Sequence, residues 1–173
     1  KSYFRPSGMI HDAVIQSDDS FIITGLTDST DVNVSEPFPK LFMMQLNGAG
    51  EVQWCKGYEA APNPWYTPQT SKLARTAQGD YVILATLGYE HTNFQYRPFW
   101  MKVDQNGDTL WTRSLQGDDR HIFYTKSLLL TADGGIVFNG MAWRLGIGGS
   151  GGGAFIYKAD ADGHLPCEEA HAP

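Results

Sequence analysis

The chain has 173 residues, a single-domain length, with 42% hydrophobic and 13% aromatic residues and a formal charge of −6. That acidity, without any cluster of Lys or Arg, argues against nucleic acid or an anionic membrane as partner, and no apolar run approaches the roughly 18 residues of a membrane span. The 19 glycines and 9 prolines point to many turns and short strands, and the abundant rings suit pleated surfaces.

Taken in chain order, Lys1-Ser2-Tyr3 stands in the register of Lys56-Gly57-Tyr58 and Arg113-Ser114-Leu115, each of which begins two residues after a tryptophan. Residues 1–9 are therefore expected to end a preceding repeat; no signal peptide is visible behind Lys1. A first repeat, 10–58, reads as strand His11–Gln16, turn Asp18-Asp19-Ser20, a strand from Phe21, a long connection Leu26–Leu41, a strand from Phe42, turn Asn47-Gly48-Ala49-Gly50 and a strand Glu51–Lys56 carrying Trp54. A second, 59–115, runs through Lys72–Thr76, Gln78-Gly79-Asp80, Tyr81–Ala85, Leu87–Pro98, a strand from Phe99, Asp104-Gln105-Asn106-Gly107 and the Trp111 strand. A third, 116–166, runs through Lys126–Leu130, Asp133-Gly134-Gly135, Ile136–Gly140, Met141–Gly153, a strand from Phe155 and Asp160-Ala161-Asp162-Gly163; residues 167–173 read as a tail or linker.

The landmarks keep phase. Phe21 to Tyr81 is 60 residues and Tyr81 to Ile136 is 55; Gly50 to Gly107 is 57 and Gly107 to Gly163 is 56. Trp54 and Trp111 each follow their glycine by four residues. Glycine-bearing turns supply the positive φ of tight hairpins, so each repeat reads as four antiparallel strands. The expected fold is all-β, with three four-stranded repeats as blades of a β-propeller; a β-sandwich or solenoid need not repeat its tryptophan and turn chemistry in register. Such rings close with about 4–8 blades, so the chain is expected to be part of a larger propeller, or two copies form a ring in which Lys1–Phe4 of one supplies a strand to the other.

The stretch from Pro98 to Gly140, PFWMKVDQNGDTLWTRSL followed by TKSLLLTADGGIVFNG, resembles the propeller repeats of large secreted and cell-surface proteins of the Bacteroidetes. There a Lys-x-Asp-x-x-Gly-x-x-x-Trp hairpin precedes Thr-x-Asp-Gly-Gly. The first repeat departs from it, with Gln45, Asn47 and Ser20 in place of Lys, Asp and the second Gly. The resemblance implies an exported protein of the type IX secretion class, located outside the cell or on its surface. It also implies a weak O-glycosylation motif at Asp28-Ser29-Thr30, with Ser29 as acceptor. It implies no single activity.

In an up-and-down blade the tight turns share one end and the long connections the other. The long connections carry Trp65, Tyr66, Tyr89, His91, Phe94, Tyr96, Arg97, Asp118, Asp119, Arg120, His121, Phe123, Tyr124, Trp143 and Arg144. Of these, Trp65, Tyr66, Tyr89, His91, Tyr96, Arg97, Asp119, Arg120, His121, Trp143 and Arg144 are the candidate ligand-binding residues, since rings with Arg and Asp suit a glycan or a protein partner. The competing reading is that these rings pack their own connections. Trp54 and Trp111, recurring at the repeat period, are expected to pack between neighbouring blades. Asp104–Asp108 has a passing likeness to a calcium loop but reads as a hairpin turn, and the histidines lack ligand spacing, so no metal or cofactor is expected. The glycine run Gly146–Gly153 lacks the Lys-Ser/Thr ending of a phosphate loop and reads as a connection. Cys55 and Cys167 read as free thiols or as thiols paired outside the chain.

The leading functional expectation is a non-catalytic extracellular binding or scaffold module. Its partners would be a protein or glycan ligand and further blades of the same protein or another copy of the chain. An alternative is a polysaccharide-active enzyme, with paired carboxylates drawn from Glu36, Glu59, Glu90, Asp118 and Asp119; another is an architectural spacer in an adhesin or filament.

Overall fold

The computed structural model describes residues 8–27, 40–58, 66–89, 95–115, 121–144 and 151–166, with backbone alone at 66, 67, 89 and 95. Every element among them is a strand. β1 (Met9–Ile15), β2 (Phe21–Thr27), β3 (Lys40–Leu46) and β4 (Val52–Tyr58) form one antiparallel sheet in chain order. β5 (Tyr66–Arg75), β6 (Tyr81–Tyr89), β7 (Gln95–Val103) and β8 (Thr109–Ser114) form a second. β9 (His121–Leu130), β10 (Ile136–Arg144) and β11 (Gly151–Ala159) form a third.

The expectation of three four-stranded repeats is corrected to sheets of 4, 4 and 3 strands among the described residues, none of them closed on itself. In the third repeat the turn after β11 forms, but the described residues end at Pro166. Pro166 stands where the first two repeats have Gln53 and Leu110, the extra bulge residues just before Trp54 and Trp111.

The three sheets stack. β6 shows why: its odd residues Tyr81, Ile83, Ala85 and Leu87 join the core shared with the first sheet, while Val82 and Leu84 join the core shared with the third. Both faces of β6 are thus buried, and its run of apolar residues reads as continuous rather than alternating. Leu26, Leu41 and Met43 of the first sheet face the odd set; Ile136 and Phe138 of the third face the even set, which Trp100 extends from beside Leu84. The first strands of successive sheets approach one another, β1 against β5 and β5 against β9.

Two glycines fix how the first strands bend. A Cβ on Gly25 would overlap the carbonyl oxygen of Met9, and one on Gly140 that of Tyr124. In both sheets the first strand carries its extra bulge residue opposite this point, at His11 and at Lys126. The second sheet has Ala85 there, and its bulge lies instead at Gln69, between the partners of Leu87 and Thr86. Phe42 and Phe155 lie across the two glycines, where the missing Cβ leaves room for a ring.

Buried hydroxyls tie the same strands across the sheet interfaces. Ser71 sits opposite Ala85 and Thr125 opposite Gly140, at matching positions. Ser71 meets Thr24 Oγ1 at 3.4 Å and His11 Nδ1 at 3.3 Å, and Thr125 meets Thr86 Oγ1 at 2.7 Å. Burial, and secondarily Lys72, holds the His11 imidazole below its ordinary value.

Gly140→Ala and Gly25→Ala should each destabilise the chain by about 2–3 kcal/mol in urea unfolding, because backbone and not a flexible side chain occupies the space. Ala85→Gly should cost about 1 kcal/mol or less. A pH effect should also appear. The unfolded chain protonates His11 more readily than the folded one, so stability falls as pH drops through the ordinary imidazole value of 6.5 and levels off below the depressed one. His11→Gln should flatten that part of the profile in melting curves taken between pH 7.5 and 5; an unchanged profile would count against the assignment.

Candidate functional site

The strands run further than the sequence periodicity suggests. Most of the long connections expected at Leu87–Pro98 and Met141–Gly153 is strand: β6 and β7 leave only 90–94 between them, and β10 and β11 only 145–150. Tyr66, Tyr89, Tyr96, Arg97, His121, Trp143 and Arg144, expected on loops, stand on strands. Gly151, Gly152 and Gly153 belong to β11, paired with Arg144, Trp143 and Ala142. The physical reason is cross-strand cover. The Tyr96 ring occupies the space a Cβ would take on its partner Gly88, and the Trp143 ring does so at Gly152, so ring area replaces what glycine lacks.

These rings join into a row. Tyr96 of β7 stacks on Tyr124 of β9 with centroids 4.8 Å apart, and Tyr124 meets Trp143 of β10 edge to face at 5.4 Å. All three are half-buried. The row thus crosses from the second sheet to the third at the end from which the longer connections depart. On the next ladder pair, and by strand alternation on the other face, Arg144 is exposed and stands opposite His121 and Gly151, and the His121 ring lies 6.0 Å from that of Phe123. Arg97 is half-buried opposite Leu87. Tyr66 and Tyr89 are partners at the ends of β5 and β6. Trp65, His91, Asp119, Arg120 and Ser29 lie outside the described residues, as do Phe94, Asp118, Cys167 and the enzyme reading's Glu36, Glu59 and Glu90. The structure therefore brings Tyr96 and Trp143 together through Tyr124.

The opposite end is built of tight turns. In each second turn one side chain caps two N–H groups. Asn47 Oδ1 accepts from Ala49 and Glu51, Asp104 Oδ1 from Asn106 and Asp108, and Asp160 Oδ1 from Asp162 and His164, at 2.8–3.1 Å. Those backbone bonds hold Asp104 and Asp160 below the usual carboxylate value, so the calcium-like segment spends Asp104 on its own backbone. Among the described residues no group of three His, Cys, Asp or Glu is set to hold a metal ion.

Gly50, Gly107 and Gly163 take positive φ of 75°, 79° and 82° in these turns. On two of them rests the preceding sheet: the Trp54 ring lies 3.0 Å from a Cβ built on Gly107, and the Trp111 ring 2.7 Å from one on Gly163. The carbonyls of the same glycines accept hydrogen bonds from the preceding sheet, Gly107 from Tyr58 Oη at 2.9 Å and Gly163 from Trp100 Nε1 at 3.0 Å. Alongside, Lys56 Nζ pairs with Asp108 at 2.5 Å, and at the matching positions Arg113 Nη2 meets His164 Nε2 at 3.0 Å. Trp54 and Trp111 are spent on this docking. No protein-family model matches the chain, and no curated protein matches it.

The first turns differ in the side chain that caps them. Asp133 bonds Lys158, Thr131 and the Gly135 N–H, which together hold it well below the usual carboxylate range. The second sheet has Gln78 at this position, and the Thr76 hydroxyl there is buried with no hydrogen-bond partner among the described residues. Gln78→Asp should satisfy it and stabilise the chain by about 1 kcal/mol, read as a raised urea midpoint. No gain, or a loss, would show that the third sheet's turn chemistry does not transfer.

Proposed function

We propose that the chain is a section of β-propeller wall acting outside the cell as a non-catalytic binding or scaffold module, contacting a glycan or protein at the end where the longer connections leave. The observation that carries the ligand reading is the row Tyr96–Tyr124–Trp143, which presents half-buried ring surface across two sheets. Rigid aromatic surface is the recurring chemistry of glycan and protein contacts. The propeller reading is supported by the repeated docking of a tryptophan on the next sheet's turn glycine, since a stack that repeats one interface extends by adding sheets. The third sheet leaves Leu129, Met141 and Ile156 exposed at 62%, 44% and 71%, whereas Met43 and Trp100, at the positions matching Ile156, are fully buried by a following sheet. A further blade of the same protein, or another copy of the chain, is the partner suited to that face.

A glycan and protein-ligand screen with the full-length protein tests the reading. Against any ligand found, Tyr124→Ala and Trp143→Ala should weaken binding by about 2 kcal/mol, roughly thirtyfold, while Asn106→Ala in a tight turn leaves it unchanged. Circular dichroism of each variant separates lost contacts from lost fold. Binding abolished by Asn106→Ala and untouched by both ring variants would place the ligand at the other end.

A further inference from the structure

We propose that Tyr96 and Tyr124 are a site of oxidative cross-linking, where a peroxidase acting on peroxide joins the two phenol rings carbon to carbon as dityrosine and so staples the second sheet to the third. The rings stand on β7 and β9, strands of different sheets that share no hydrogen-bonded ladder. They stack with centroids 4.8 Å apart and planes 26° from parallel, the only contact between two tyrosine rings among the described residues. Both are half-buried, so each keeps ring surface in reach of an oxidant in solution.

The surroundings hold the pair together. The Tyr96 ring is seated over Gly88 of its own sheet, in the space a Cβ would fill. Next to Tyr124, the Thr125 N–H donates to Thr86 Oγ1 at 3.0 Å and the two hydroxyls meet at 2.7 Å, so the spacing of the two sheets is pinned one residue from the ring. The rings are also aligned for coupling. Burial first, and then the neighbouring Tyr96 phenol, push the Tyr124 hydroxyl above its ordinary value. The two hydroxyls therefore lie on the same side of the stack, and the ortho carbons beside them face each other. Other described phenols are engaged or enclosed: Tyr58 donates to the Gly107 carbonyl, Tyr81 is 1% exposed, and Tyr157 packs against Phe138 and Phe155.

Each phenol gives one electron to the peroxidase and its hydroxyl proton to water, leaving a tyrosyl radical shared between the oxygen and the ortho carbons. The two radicals combine, and one bond forms between an ortho carbon of Tyr96 and one of Tyr124. The hydrogen on each joined carbon then leaves as a proton while a proton returns to each oxygen, which restores both phenols. The chain loses two hydrogen atoms and one peroxide is reduced to two waters. Among the described residues no disulfide joins the sheets, and Cys55 is a free thiol. A link between residues 96 and 124 closes a loop in the unfolded chain and so favours the folded one, as other covalent cross-links do. The proposal does not depend on what the ring row binds.

Treatment of the dilute intact protein with a peroxidase and hydrogen peroxide tests the proposal. Dityrosine fluorescence is expected in the monomer. Trypsin should release a linked pair joining residues 76–102 to 121–126, lighter by two hydrogen atoms than the two peptides together. Tyr96→Phe and Tyr124→Phe keep a stacked ring and remove the hydroxyl, so each should abolish the linked pair while circular dichroism stays unchanged. The linked monomer should unfold at a higher urea midpoint than monomer left unlinked by the same treatment. Absence of the linked pair, its persistence in either variant, linkage of Tyr124 only between separate molecules, or a midpoint no higher than that of unlinked monomer would overturn the proposal.

Discussion

The stack depends on an aromatic ring seated on a glycine. At Gly107 and Gly163 two requirements fall on one residue: the turn needs positive φ, and the ring above needs the space a Cβ would fill. The same residue then offers its carbonyl to Tyr58 or Trp100 of the preceding sheet. Turn formation and sheet docking therefore cannot vary independently. A side chain at either glycine would strain the hairpin and lift the preceding sheet in the same step. The near-constant spacing of repeats follows, because the tryptophan must arrive at a fixed height above the next turn.

That coupling explains what was legible in the sequence. Glycines at matched spacing and tryptophans four residues beyond them are discrete marks, and they located the turns, the strand order and the all-β class. Strand length was harder to read. Gly88 and Gly151–Gly153 look like loop, and strand statistics disfavour them, yet Tyr96 and Trp143 cover two of these glycines from the paired strand and keep the ladder running. Such cover depends on a partner found only after folding. For the same reason Tyr124, which joins Tyr96 to Trp143, was not distinguishable from its neighbours on the loop list.

The two ends of the stack differ chemically. Apart from Asp12, every described carboxylate sits in or beside a tight turn, where most are bound by their own backbone or by a lysine. The other end carries rings that fill in for glycine. The tight-turn end is thus held by polar bonds within each turn and by the ring of one sheet seated on the turn of the next, the other end by rings that cover glycines and by the Tyr96–Tyr124 stack.

The double burial of β6 has a consequence for the chain's fate when it is not folded. Tyr81–Leu87 is rich in β-formers, uncharged and free of proline, the composition of segments that stack into cross-β fibrils. Its edges are paired with β5 and β7 and its faces are covered by sheets on either side, so the native stack sequesters it completely. Any opening that parts the second sheet from a neighbour uncovers a face of this segment, and fibril nucleation in the nascent or partly unfolded chain is then held back only by how fast the neighbouring sheets close over it.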